Sequence, residues 1–144
     1  MPRGFSFRLA KDSEISNLKA GHMAKVPPED MANLSASKMQ HIQPEVMQGL
    51  LPQHMAKIPP EAVGGFSAQH FEKTPPETMT MLSAPQAENI LADAMSGFKA
   101  AHIARIPPEV RSKFKEEQAQ NLEEDALLAL EAHGNEVQIS HDEP

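Results

Sequence analysis

The sequence predicts an all-α fold, an α-solenoid or superhelix of six gapless 16-residue units with a degenerate cap at each end. Two observations predict it: a sixteen-residue repeat without insertions, and a helical spacing of the apolar residues within each repeat. The predicted segments are an N-terminal cap (1–17), the six units (18–113), a C-terminal capping helix (114–132) and a flexible acidic tail (133–144). Units 1 to 6 begin at Leu18, Leu34, Leu50, Phe66, Leu82 and Phe98, and a degenerate unit 7 begins at Phe114.

The first helix of each unit is predicted over roughly positions two to nine. Positions six and nine are mostly apolar, and residues three apart share one face of a helix. Ser35, Ser67 and Ser83 stand at position two, where an N-cap is needed. The spacing therefore predicts a short helix with one buried face.

The second helix is predicted to open at the Pro-Pro-Glu motif, because proline is tolerated in a first helical turn and ends the preceding helix. An acidic residue follows at position twelve in every unit, where it complements the helix dipole. Gly49, Gly65 and Gly97 are interpreted as left-handed C-caps. Two-turn helices are unstable alone, so stacking on neighbouring units has to stabilise them.

The ends depart from this pattern. Residues 114–132 lack both prolines and are predicted to form one longer capping helix, with Leu122, Leu127, Leu128 and Leu130 on or near its buried side. Arg111 holds position fourteen, which is apolar in the other five units, and is interpreted as the start of a polar end.

The best-conforming stretch, IPPEAVGGFSAQHFEKTPPE (58–77), resembles the short helical repeats found in bacterial proteins, which are often large and surface-associated or secreted. The resemblance covers residues 18–113. It implies an α-helical repeat scaffold and no catalytic motif.

Composition narrows the function classes. Without cysteine there is no disulfide, no thiol nucleophile and no cysteine-based zinc site. Neither a signal-peptide pattern nor a membrane-spanning apolar run is present, so a cytoplasmic location is the default expectation. The net charge of −7 is the sum of +1 in residues 1–17, zero in residues 18–113 and −8 in residues 114–144, and with a neutral middle nucleic-acid binding is not expected. No catalytic motif occurs, and neither enzymatic activity nor a cofactor is expected.

Histidine at position five leaves two interpretations open. His22, His54, His70 and His102 could form a metal-binding or pH-sensing stripe. The alternative is a polar, solvent-facing position at which Lys38 and Gln86 serve equally well. Neighbouring units lie too far apart for a three-histidine metal site, so no metal ligands are assigned.

Two other residue classes are assigned structural roles. Methionines at positions six and fourteen are interpreted as core packing, whereas Met81 falls outside that pattern and is expected to be exposed. One carboxylate per unit cannot converge on calcium. Four basic residues precede these acids by four positions and could form surface ion pairs across the bend: Lys25, Lys57, Lys73 and Arg105.

The favoured function is a non-enzymatic scaffold for protein–protein interaction, monomeric or weakly self-associating. The alternative is a pH- or metal-responsive module that uses the histidine stripe. The candidate partner surface comprises His22, His54, Lys57, His70, Lys73 and His102.

Overall fold

The computed structural model describes residues 5–132, and every regular element in that range is a helix, as predicted. The α-helices are Asp12–Ser16, Ala20–Ala24, Ala36–Met39, Pro52–Met55, Pro60–Val63, Ala68–Lys73, Ala84–Glu88, Ala100–Arg105, Pro108–Arg111 and Glu116–Ala119, together with a last helix over 124–132. The 3₁₀-helices are Pro28–Asn33, Pro44–Gly49, Pro76–Met81 and Ala92–Gly97.

The division of each unit into two short helices is confirmed. The first helix begins at position three and ends by position eight, so it is shorter than the predicted span. Ser35, Ser67 and Ser83 each accept a hydrogen bond from a backbone amide in the first helical turn, as expected of N-caps. The acids at position twelve lie in the first turn of each second helix, where the dipole prediction placed them.

Residues 114–132 do not form the single longer helix that was predicted. A short helix, Glu116–Ala119, is followed by a bend at Leu122 and a second helix over 124–132. Unit 7 therefore keeps the two-helix plan without the proline pair. Leu122 is buried and Leu127 and Leu130 are partly buried, whereas Leu128 is 58% exposed, so the predicted burial of Leu128 is wrong because the bend ends the single helix on which it rested. Gln118 is buried within it and bonds to unit 5, which holds the first helix at its usual place. The predicted acidic tail (133–144) lies outside the described residues.

The core is a strip built from the same positions in successive units. The side chains at positions six, nine and fourteen are buried in nearly every unit. The core prediction for methionine is confirmed, since seven methionines at positions six and fourteen are at most 1% exposed: Met23, Met31, Met39, Met47, Met55, Met79 and Met95. Met81 is 46% exposed, also as predicted.

The first helices in the middle of the array each pack against two second helices. In unit 4, Ala68–Lys73 contacts Ala92–Gly97 of the next unit and Pro44–Gly49 of the unit two places earlier. Units 3 and 5 show the same pairing, and units 1, 2, 6 and 7 show one half of it. A unit is therefore linked to the unit two places earlier as well as to the next one.

The glycines at position sixteen do not adopt the left-handed C-cap conformation that was predicted. They lie against the backbone of the preceding unit instead. A Cβ on Gly97 would overlap the Ala68 carbonyl and lie 2.6 Å from its carbon, and a Cβ on Gly65 would lie 2.6 Å from the Ala36 Cα. In units 2, 3 and 5, glycine is thus required at this position by the close approach of two backbones.

Candidate functional site

Position five of each unit carries the most organised polar arrangement in the described structure. His54, His70 and His102 are 1%, 4% and 2% exposed. In each, Nδ1 accepts a hydrogen bond from the backbone amide three residues earlier, at 2.9 Å. The imidazole thereby caps the N-terminus of its own helix.

The second ring nitrogen of each histidine crosses to another unit. Nε2 lies 2.7 Å from a position-nine carbonyl two units earlier, 28 residues back in the chain. That carbonyl lies at the bend before the second helix, where the end of the first helix leaves carbonyls without intrahelical partners. We call these interactions struts. The acceptors are Val26 for His54, Ile42 for His70 and Thr74 for His102.

The two contacts assign the protonation state of the imidazoles. A backbone amide only donates and a carbonyl only accepts, so Nδ1 carries no proton and Nε2 carries one. Each strut histidine is therefore neutral. A proton on Nδ1 would place its N–H directly opposite the N–H of the backbone amide, so that two donors would face each other.

Glutamine builds the same strut in units 5 and 7. Gln86 accepts the amide of Ser83 through Oε1 at 2.9 Å and donates through Nε2 to the bend carbonyl of Ile58 at 2.8 Å. It also donates to Met55, 31 residues earlier. Gln118 repeats this geometry with Ile90 and Ala87. Sequence reasoning missed the role of both glutamines, although their position-five placement was the available signal.

Near the two ends of the array, charged side chains donate to backbone carbonyls as the strut residues do. Lys38, at position five of unit 2, donates through Nζ to the Phe7 carbonyl, 31 residues earlier. At the other end, Arg111 donates through Nη1 to Ile103 and Ile106, the carbonyls of positions six and nine in its own unit. Arg111 thus fills the two acceptor sites that glutamine struts fill in units 3 and 5.

Asp30 ties the N-terminal segment to unit 1. Its carboxylate accepts hydrogen bonds from the Ser6 hydroxyl and the Phe7 amide, both at 3.0 Å. The equivalent position is apolar or threonine in the later units, so the charge is specific to this contact.

The environment shifts the acidity of three histidines. Burial is the main cause that lowers the pKa of His70, partly opposed by its bond to the Ile42 carbonyl. Burial also lowers the pKa of His102, and the charge of Lys99 adds to that effect. The pKa of His22 is lowered by desolvation and by nearby positive charge, although its ring faces more solvent than the strut histidines.

The structure does not place the six predicted surface residues on one exposed face. His54, His70 and His102 are buried in struts, so the prediction of a solvent-facing stripe at position five is wrong. Lys57 and Lys73 are exposed, and His22 bonds only to its own helix start within residues 5–132. The same residues contain no cluster of three or more side chains suited to hold a metal ion.

The ion pairs predicted across the bends are not formed in the described part of the chain. Its two ion pairs instead join His41 with Asp12 at 3.4 Å and Lys99 with Glu72 at 3.6 Å. The extended Pro-Pro segment separates the basic residue from the acid, so spacing along the chain did not translate into proximity.

A surface groove borders the start of the first helix of unit 4. Its larger half, about 510 Å³, lies against the bend of unit 5 and includes Gln40, Gln69, Leu91 and Asp93. The other half, about 240 Å³, lies against the bend of unit 2 and shares Gln40 and Gln69. Leu91 replaces the proline found here in most units and is 56% exposed.

Comparison with protein-family models, curated proteins and solved structures gives no match to this chain. Within residues 5–132, no helix is long and apolar enough to cross a lipid bilayer. The features that bear on function are therefore the strut series and the groove.

Proposed function

We propose that this chain is a non-enzymatic interaction scaffold, an α-solenoid of six 16-residue units that holds a peptide-binding groove in a set shape. The support for the solenoid is the strut series, in which the same 28-residue bond recurs from unit 3 to unit 7. A bond that recurs at a constant separation relates each unit to the unit two places earlier in the same way.

The groove carries the functional part of the proposal. Exposed apolar residues that lie in a concave surface are typical of binding sites for other molecules. Leu91 is exposed at the bend of unit 5, the one full unit in which neither position of the motif is proline. The amides of Gln40 and Gln69 lie beside it and can both donate and accept hydrogen bonds.

The chemistry of the lining favours one kind of occupant. An extended peptide offers alternating amides and carbonyls to the glutamines, and an apolar side chain to Leu91. The only charged residue that lines either half of the groove in the described structure, apart from the titratable His41 and His70, is the exposed Asp93. The partner is therefore an extended segment in which a basic residue neighbours an apolar one.

A peptide-display selection with the intact chain tests this function. Apolar–basic peptides should be enriched over apolar–acidic ones, and Leu91→Asp should abolish their binding. Leu9→Asp is the matched control, because Leu9 is 73% exposed but lies far along the chain from the groove. Binding that survives Leu91→Asp but is lost in Lys57→Glu/Lys73→Glu would move the binding surface to the lysines and refute the groove.

A further inference from the structure

Three struts contain a titratable ring, at His54, His70 and His102, whereas two others contain an amide. His70 and His102 hold their helices with a ring whose two nitrogens are both bonded. Gln86 and Gln118 make equivalent bonds with an amide that does not titrate. Histidine and glutamine side chains therefore make the same bonds between units, and only the histidine side chain can take up a proton.

The surroundings of His70 offer no buried counter-ion for an imidazolium within the described residues. Its helix packs against Pro44–Gly49 and Ala92–Gly97, whose only charged residues are Glu45 and Asp93. Both carboxylates are exposed. The remaining titratable or charged neighbours are Glu72 and Lys73 on its own helix and His41 in the adjoining groove, and none of these is buried.

The surroundings of His102 are similar. Its helix packs against Pro76–Met81, whose only charged residue is the exposed Glu77. The charge of Lys99, on its own segment, opposes a positive charge on the ring, and Arg105 on the same helix is exposed. Lys99 is paired with Glu72 at 3.6 Å, which directs that carboxylate to the lysine.

We propose that His70 and His102 form an acid-sensitive lock, which joins the first helices of units 4 and 6 to the units two places earlier and releases them as the pH falls. Protonation converts Nδ1 from an acceptor into a donor that faces a backbone amide. At His70 the Ser67 Oγ also lies 3.0 Å from Nδ1, but that oxygen already accepts the His70 amide at the helix N-cap. The imidazolium then has to leave its buried site for solvent, and the bend carbonyl loses its partner. This inference does not depend on the peptide-binding function.

The direction of the pH effect follows from proton linkage. Because the folded protein keeps these rings neutral, it binds fewer protons than the unfolded chain, whose histidines titrate near pH 6.5. Stability is complete above about pH 6.5 and is lost as the pH falls towards the lowered folded value. Between about pH 7.5 and 5.5, a histidine that takes up no proton in the folded chain lowers the folded-to-unfolded ratio by at most about tenfold, so the pair lowers it by at most about 100-fold.

The test compares the full chain with His70→Gln/His102→Gln, a variant that copies the protein's own glutamine struts. Urea unfolding of both proteins is measured at about pH 7.5 and about pH 5.5. The folding equilibrium of the unmodified chain should fall further than that of the variant, by up to about 100-fold. His41→Gln, which removes a partly exposed imidazole outside the struts, should behave as the unmodified chain. Equal losses in the unmodified chain and the double variant overturn the proposal.

A second measurement on the unmodified chain decides the matter if the double variant does not fold. Nitrogen-15 NMR of the imidazoles reports tautomer and charge directly. The proposal requires His70 and His102 to remain neutral, with the proton on Nε2, until the amides of their helices lose protection. Titration of either ring in a chain that keeps that protection would overturn it.

Discussion

Gly97→Ala is the substitution whose effect follows most directly from the geometry. A Cβ at this position would meet the carbonyl group of Ala68, with the carbon at 2.6 Å and the Cα at 2.9 Å. Ordinary contact begins at 3.4 Å, so the two backbones must separate by about 0.8 Å or more. Neither side can yield by a rotamer change, because the neighbour is itself backbone.

The expected cost lies at the upper end of overpacking effects, about 3 kcal/mol in the free energy of unfolding. Gly21→Ala is the matched control. Gly21 lies inside the helix Ala20–Ala24, and an alanine methyl there would have no neighbouring atom within 4 Å. The same chemical change at Gly21 should stabilise the protein by about 0.5–1 kcal/mol, through the higher helix propensity of alanine.

Urea unfolding followed by far-UV circular dichroism measures both variants. Gly65→Ala provides a second test, since its Cβ would lie 2.6 Å from the Ala36 Cα. The reasoning is refuted if Gly97→Ala and Gly21→Ala change the unfolding free energy by the same amount. That result would mean that the backbones do not approach each other as described.

Substitutions at three further sites test the polar bonds between and within units. His54→Ala removes a strut and leaves a buried carbonyl without a partner, so it should lower the free energy of unfolding in urea by about 2–4 kcal/mol. His54→Gln should lower it by less than about 1 kcal/mol, because glutamine can make the same two bonds. Equal losses in the two variants would refute the role of His54 as a strut. Arg111→Met should lower the free energy of unfolding by about 1–2 kcal/mol in the same assay, although methionine is apolar, because two carbonyls lose their hydrogen-bond donor. A gain in stability would show that apolar packing outweighs those bonds. Asp30→Ala should increase hydrogen exchange at the Phe7 amide at least about tenfold while that of the Met95 amide stays unchanged, and an unchanged Phe7 rate would refute the contact.

Local patterns in the sequence determined the helical class, the two-helix unit, the serine N-caps and the methionine core. Each of these features depends on residues that lie within one or two helical turns of one another, so the sequence of a single 16-residue unit is enough to predict it. The apolar residue at position six, for example, is buried because it shares a helix face with position nine. Because the unit repeats, the same prediction applies to each successive unit along the chain.

Only the tertiary structure decided what position five and position sixteen do. His70 was interpreted as a surface residue because polarity alone predicts exposure, yet its acceptor lies 28 residues away, at Ile42. Gly97 was interpreted from its own backbone, yet the reason for glycine is the carbonyl of Ala68 in the preceding unit. Both roles depend on how far and in which direction one unit is displaced from the next. That displacement arises from packing across units, and no spacing within a unit specifies it.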